Sequence, residues 1–243
     1  MMLISALLAL TLTDACGSYP AGIGAPPNPD HSEEQPVVVE LFTSQGCPPC
    51  VEANRRFGEL AAREGVIALS YGVDYWDMFG WEDQFAQPDF ADRQQDYIRM
   101  GEASRVFTPH FVINGGPERL RFTRDDVPGR VATSLPLTGD ITLRRLAEGR
   151  VQLGLDGALR ENPAAVWAVT YRPGVIVVPI EGGRNAGAEM EHHNTVAALE
   201  RLEDWHGGDY SLEFAGPAED FGLAVLVQDG PGGRLLAATR LRD

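Results

Sequence analysis

The sequence predicts an α/β protein in which a strand–helix–strand unit leads into an antiparallel, sandwich-like β-rich region. Two observations predict it. A β-branched run, Val37–Phe42, is followed by a helical pattern and a second apolar run, Val66–Tyr71. Past Pro136 the pattern changes to short alternating segments separated by turn residues. The charge balance, 35 acidic against 20 basic residues for a net charge of -15, is that of a soluble chain with a field repelling nucleic acid and anionic lipid.

In chain order, Leu3–Leu12 is an apolar run followed by small and polar residues through Ser18. It is shorter than the roughly 20 residues a spanning helix needs and fits the core of a secretion signal. Residues 1–18 are therefore read as a signal or lipoprotein-like segment. Cys16, after Thr13-Asp14-Ala15, loosely matches a lipid-attachment site, which would be the chain's single link to a membrane. Residues 19–36 are rich in Pro, Gly and Asn without apolar period and are expected to form a disordered tether. The expected location is periplasmic or secreted.

Residues 37–135 carry the first domain. After the strand Val37–Phe42, apolar residues from Val51 to Ala61 fall near helical spacing, so a helix is expected from Pro49 to about Arg63, ended by Gly65. Val66–Tyr71 is a second strand, parallel to the first because a helix connects them. The aromatic-acidic segment Asp74–Phe85 follows, then a helix over Asp89–Met100 behind Pro88. Thr108-Pro109 precedes the strand His110–Ile113, the turn Asn114-Gly115-Gly116 and a strand at Leu120–Phe122. A last helix, capped by Thr123, is expected to reach Ser134. The order β-α-β-α-β-β-α is the minimal thioredoxin topology. Residues 136–243 form the β-rich domain, with strands at Ile141–Leu146, Arg150–Leu155, Val166–Tyr171, Val175–Ile180, Gly222–Gln228 and Leu235–Leu241. A helix is expected to interrupt them at Asn194–Leu202.

The chain has three cysteines, and one lies in the signal-like segment. Cys47 and Cys50 are thus each other's intrachain partners. A bridge between them encloses too few residues to restrain much of the unfolded chain, so redox chemistry or metal binding explains the pair better than stabilisation. A helix N-terminus favours the thiolate that attacks disulfides. Cys47 is read as the exposed nucleophile and Cys50 as the resolving thiol, with Pro48 and Pro49 at positions that need no helical N–H.

Thr108 and Pro109 are expected to hold a substrate chain, since a cis-proline before such a strand faces the dithiol in thioredoxin-like folds. Glu40 interrupts an apolar strand. It is read either as a buried base for Cys50 or as a carboxylate that faces solvent or pairs with an arginine. Asp74 and Trp76, with Tyr75 and Asp77, either line the dithiol cleft or form a satellite core. His110 either joins the thiols or faces solvent, and His192 and His193 point to opposite strand faces. No cofactor beyond the redox disulfide is expected. The alternative is Cu(I) held by Cys47, Cys50 and His110 in a metallochaperone, and a further alternative is an interaction protein that keeps the fold.

The run Val38–Cys47, the block Val73-Asp74-Tyr75-Trp76-Asp77 with Gly80-Trp81, and Phe107-Thr108-Pro109 together resemble domain-of-unknown-function family 1223, a bacterial secreted group with a thioredoxin-like fold. The stretches Val177–Ile180, Gly183–Gly187, Asn194-Thr195-Val196 and Ala224–Gln228 extend the resemblance over roughly residues 37–241. It implies a thioredoxin-like fold and an exported location. Family members usually carry Cys-Ser-Ser-Cys followed by Pro-Pro; here the prolines lie between the cysteines, as in many membrane-tethered reductases of cytochrome maturation. The activity expected is thiol–disulfide exchange with a protein partner and a separate electron donor or acceptor, its direction open.

Overall fold

The structure is a computed structural model, and it describes residues 32, 34–101, 105–116 and 126–242. The signal-like segment with Cys16, nearly all of the tether, the strand expected at Leu120–Phe122 and the Thr123 cap lie outside the described residues.

The chain is α/β, with a mixed seven-stranded sheet and a separate antiparallel sheet of three strands. β1 (Val37–Thr43) and β2 (Val66–Gly72) pair in parallel, Val37 against Val66 through Thr43 against Gly72. α1 (Pro48–Ala61) connects them, a crossover that parallel strands require. α2 (Pro88–Met100) leads to β3 (His110–Ile113), which pairs antiparallel with β1. α3 (Val127–Thr133) is capped by the side chain of Asp126, which accepts from Gly129 N.

Strand alternation in β1 separates the two faces of the sheet. Val37, Val39 and Leu41 pack with Ala53, Phe57 and Leu60 of α1 and Val127 and Val131 of α3. Val38 and Phe42 pack on the other face with Phe90 and Tyr97 of α2.

β4 (Asp140–Arg145) and β5 (Arg150–Asp156) begin the second half. β6 (Ala164–Pro179), β7 (Glu189–Trp205), β9 (Gly222–Gln228) and β10 (Leu235–Arg240) do not stand apart as a sandwich. They extend the first sheet in the order β10-β9-β6-β7-β2-β1-β3. β7 meets β2 through one parallel bridge, Ser70 with Thr195, reinforced by Ser70 Oγ to His193 O at 2.9 Å and Asn194 Nδ2 to Ala68 O at 3.1 Å. β4, β5 and β8 (Tyr210–Ala215) form the three-stranded sheet, and Leu153 and Leu155 pack against Val166, Val225 and Val227.

Two expectations are corrected. Asn194–Leu202 is strand, part of β7, although Ala197, Ala198, Leu199, Glu200 and Arg201 are good helix formers. Their partners on β6, from Arg172 opposite Thr195 to Trp167 opposite Arg201, outweigh local propensity. Val166–Tyr171 and Val175–Ile180 are one strand with a register shift between Arg172 and Val175, where Gly174 takes φ +83°. β8, whose exposure alternates along Tyr210–Ala215, was not anticipated.

Candidate functional site

The site is the loop joining β1 to α1. Cys47 is the N-cap of α1, with extended backbone, and Pro48 and Pro49 occupy its first positions. Cys47 and Cys50 form a disulfide. Asn54, one helical turn beyond Cys50, donates from Nδ2 to Cys50 O at 2.9 Å and Thr43 Oγ1 at 2.5 Å, tying the first turn to the end of β1. Ser44 closes the loop from its other side, accepting Cys47 N at its carbonyl and Gly46 N at Oγ, both at 3.1 Å.

Neither cysteine is the exposed nucleophile expected: both are 0% exposed. They sit in an apolar cluster with Ile180 and Met190, flanked by Val51, Trp76 and Trp81. Ile180, between β6 and β7, and Met190, at the start of β7, reach the pair from 130 or more residues along the chain, a contact no local pattern announces.

Gln45 organises the polar side of the loop. Its N–H donates to Asp83 Oδ2 at 2.8 Å, and its carbonyl accepts from Asn185 Nδ2 at 2.7 Å. The same Nδ2 reaches Cys47 O at 3.0 Å. Trp81 Nε1, which can only donate, approaches Gln45 Oε1 at 2.8 Å. That orients the amide nitrogen toward His192 Nε2 at 3.4 Å, so this ring nitrogen is the acceptor. His192 is neutral, its pKa lowered to about 4 by burial and by the neighbouring His193. Burial raises Asp83 to about 6, against the backbone donors Gln45 and Phe85 and with Asp77 adding repulsion.

Glu40 is not a base for Cys50. It faces α2, on the side of the sheet opposite α1, and is 0% exposed. Arg93 Nε donates to its Oε1 at 2.6 Å and Tyr97 OH to its Oε2 at 2.5 Å. Arg93 also reaches Gln228 Oε1 at 3.2 Å, so the pair braces β1, α2 and β9. The arginine-paired reading of Glu40 is the one realised.

The aromatic-acidic segment splits. Trp76 packs at the disulfide, whereas Tyr75 joins the α2-side core and donates to Gln94 Oε1. Asp74 is half-buried at the start of the 3₁₀ turn Asp74–Phe79. Thr108–Pro109 is a cis peptide, and the pairing of His110 with Phe42 carries it toward Thr43, where the cysteine loop starts. His110 does not face solvent: it is buried against Phe42 and Phe107, with Gln94 Nε2 at 3.3 Å from Nδ1. Among the described residues no group of three or more His, Cys, Asp or Glu side chains is placed to hold a metal ion. His192 and His193 do take opposite faces, the first against Phe85 and the second paired with Glu191. Among the described residues no helix is long and apolar enough to cross a membrane.

Gln45, Trp81, Asp83, Ile180, Arg184, Asn185 and Met190 carry no role in the sequence reading. The usable signals were the acid next to an aromatic block at Asp83 and the glycine-rich stretch around Arg184 and Asn185.

The fold and the site define a class: α/β proteins whose mixed sheet carries a buried disulfide at a helix N-terminus. Within it, the chain belongs to the family described as Protein of unknown function (DUF1223), whose model matches residues 38–228. A crystal structure of a protein from Agrobacterium tumefaciens is similar, with a TM-score of 0.67 and 26% identity over 87% of this chain and 95% of that one. No curated protein matches the chain.

Proposed function

We propose that this chain is an exported thioredoxin-like thiol–disulfide oxidoreductase, periplasmic or secreted, that exchanges Cys47–Cys50 with cysteines of a protein partner. The observation that carries the reading is the disulfide bridging the N-cap and first turn of α1, three residues apart. So short a bridge removes little chain entropy, while its position places a sulfur where the helix dipole stabilises a thiolate.

In the reducing direction the Cys47 thiolate attacks a partner disulfide, forming a mixed disulfide and expelling one partner thiolate, which takes a proton. The Cys50 thiolate then attacks Cys47 Sγ. Cys47–Cys50 re-forms, and the second partner sulfur leaves reduced. Two electrons pass to the partner, and a separate donor dithiol restores the cysteines; the oxidising direction is the reverse. Thr108, Pro109, Asp74 and Trp76 are the substrate-side residues of this reading, and no cofactor beyond the disulfide takes part.

Insulin reduction with dithiothreitol as donor tests it. Cys47→Ser abolishes turnover, and Cys50→Ser accumulates a mixed disulfide with the substrate. If both variants behave as wild type, the reading fails. The potential of the pair against glutathione then sets the direction: a value near that of thioredoxin marks a reductase, one far more positive an oxidant.

A further inference from the structure

A partner thiol reaches neither sulfur in the conformation described, because both cysteines are fully covered. The cover is the tip of the β6–β7 hairpin. Ile180, where the tip begins, and Met190, in the adjoining start of β7, pack on the disulfide together with Trp76 and Trp81. The tip is closed on itself by Ile180 N to Ala188 O at 2.9 Å, Gly187 N to Ile180 O at 2.8 Å and Ala188 N to Asn185 O at 3.0 Å.

Two side chains fasten it to the rest of the site. Asn185 Nδ2 donates to the carbonyls of Gln45 and Cys47. The Arg184 guanidinium lies 3.9 Å from the ring centroid of Phe79 and 5.5 Å from that of Trp76, on the solvent side. Beneath them Gly182 and Gly183 pack closely on Gly80 and Trp81: an added Cβ would come within 2.8 Å of Gly80 O and 2.9 Å of Trp81 Cβ. The tip contains Gly182, Gly183 and Gly187, the last two at positive φ, and a Cβ on Gly187 would meet nothing within 4 Å. The hairpin ladder stops at Pro179 opposite Glu189, so the tip can lift without breaking a strand pair.

We propose that this tip, residues 180–188, is a latched cover that sets which thiols gain access to Cys47–Cys50, with Asn185 and Arg184 as the positioning residues that hold it shut. The inference rests on the redox reading of the pair. Exchange proceeds from the lifted form. Lifting frees the Gln45 and Cys47 carbonyls, which then accept backbone N–H groups of an extended polypeptide thiol in place of the Asn185 amide.

Reduction of the oxidised full chain by dithiothreitol, quenched and read by thiol labelling, isolates the cover from any protein substrate. In that reaction a dithiothreitol thiolate attacks the disulfide, Cys47 and Cys50 become thiols, and dithiothreitol leaves as its cyclic disulfide. Asn185→Asp keeps the side chain's size but turns a donor toward the two carbonyls into an acceptor. It is expected to speed reduction about tenfold, the effect of losing about one hydrogen bond from the closed form, with Arg184→Ala acting in the same direction. The midpoint potential is expected to stay at the wild-type value, as a change confined to access requires. Amides of residues 180–190 lose protection from hydrogen exchange while those of β9 keep theirs. Wild-type reduction rates in both variants overturn the proposal, as does an equal loss of protection in β9, which would mean global loosening. A negative insulin assay would remove the oxidoreductase reading and leave this result to stand or fall on its own.

Discussion

Glu40→Ala removes the negative partner of a buried arginine. Arg93 is 5% exposed and Glu40 0%. The variant leaves Arg93 with two neutral partners, Tyr97 OH at 2.9 Å and Gln228 Oε1 at 3.2 Å, and no counter-charge. Stranding one member of a buried pair costs about 3–5 kcal/mol, which at this chain length lowers Tm by about 10 °C. Urea unfolding of the oxidised protein reads it directly, as a fall in midpoint at constant slope. Glu40→Leu with Arg93→Met replaces the pair by apolar groups and recovers most of the loss, because no charge is then buried. A loss under about 1 kcal/mol for Glu40→Ala refutes the bracing role. So would unchanged stability with an altered pH profile of Cys50 alkylation, since that places the carboxylate beside the thiol.

Three further outcomes are expected. Asp83, held near 6, opposes folding once ionised, so its share of stability is present below the unfolded value of 3.8 and is lost as pH rises through about 6. His192, lowered to about 4, acts oppositely: its share is present above 6.5 and lost as pH falls through about 4. Each is worth about 3 kcal/mol. Asp83→Asn should therefore gain stability from pH 4 to 6.5 and His192→Gln lose it, in urea titrations across that window; parallel curves would refute the assignment. Gly72→Ala would place a Cβ 2.8 Å from the backbone of Phe85 and Ala86, costing about 1–3 kcal/mol by thermal denaturation, and an unchanged Tm would contradict it. Asn54→Leu loses both bonds to Thr43 and Cys50 and should destabilise by about 1–3 kcal/mol in urea unfolding; a neutral effect would show that Asn54 does not tie the first turn.

The first half of the fold was legible because its signals are local. A buried β-branched run, a proline-started helix and a second buried run specify β1, α1 and β2 within 36 residues. The cysteine pair and its place at a helix start could be read for the same reason. Glu40 shows the limit. Its place in an otherwise apolar strand left burial and solvent exposure both open, because which face it occupies depends on the strand's register against α1 and α2, and its partner lies 53 residues on. In β7 the residues with helical propensity are overruled by a long antiparallel partner invisible to a local window. The later strands were read as a separate sheet because alternation reports a half-buried strand without saying which sheet it joins.

By itself the sequence determined that this chain carries a dithiol at the start of a helix in an α/β unit, since spacing, proline geometry and strand composition act over a few residues. Only the tertiary structure decided that the disulfide is shut away. The residues that cover and fasten it, Ile180, Arg184, Asn185 and Met190, reach it because β6 and β7 extend the same sheet. Cys47 is thus a helix cap by local chemistry and a buried group by long-range packing.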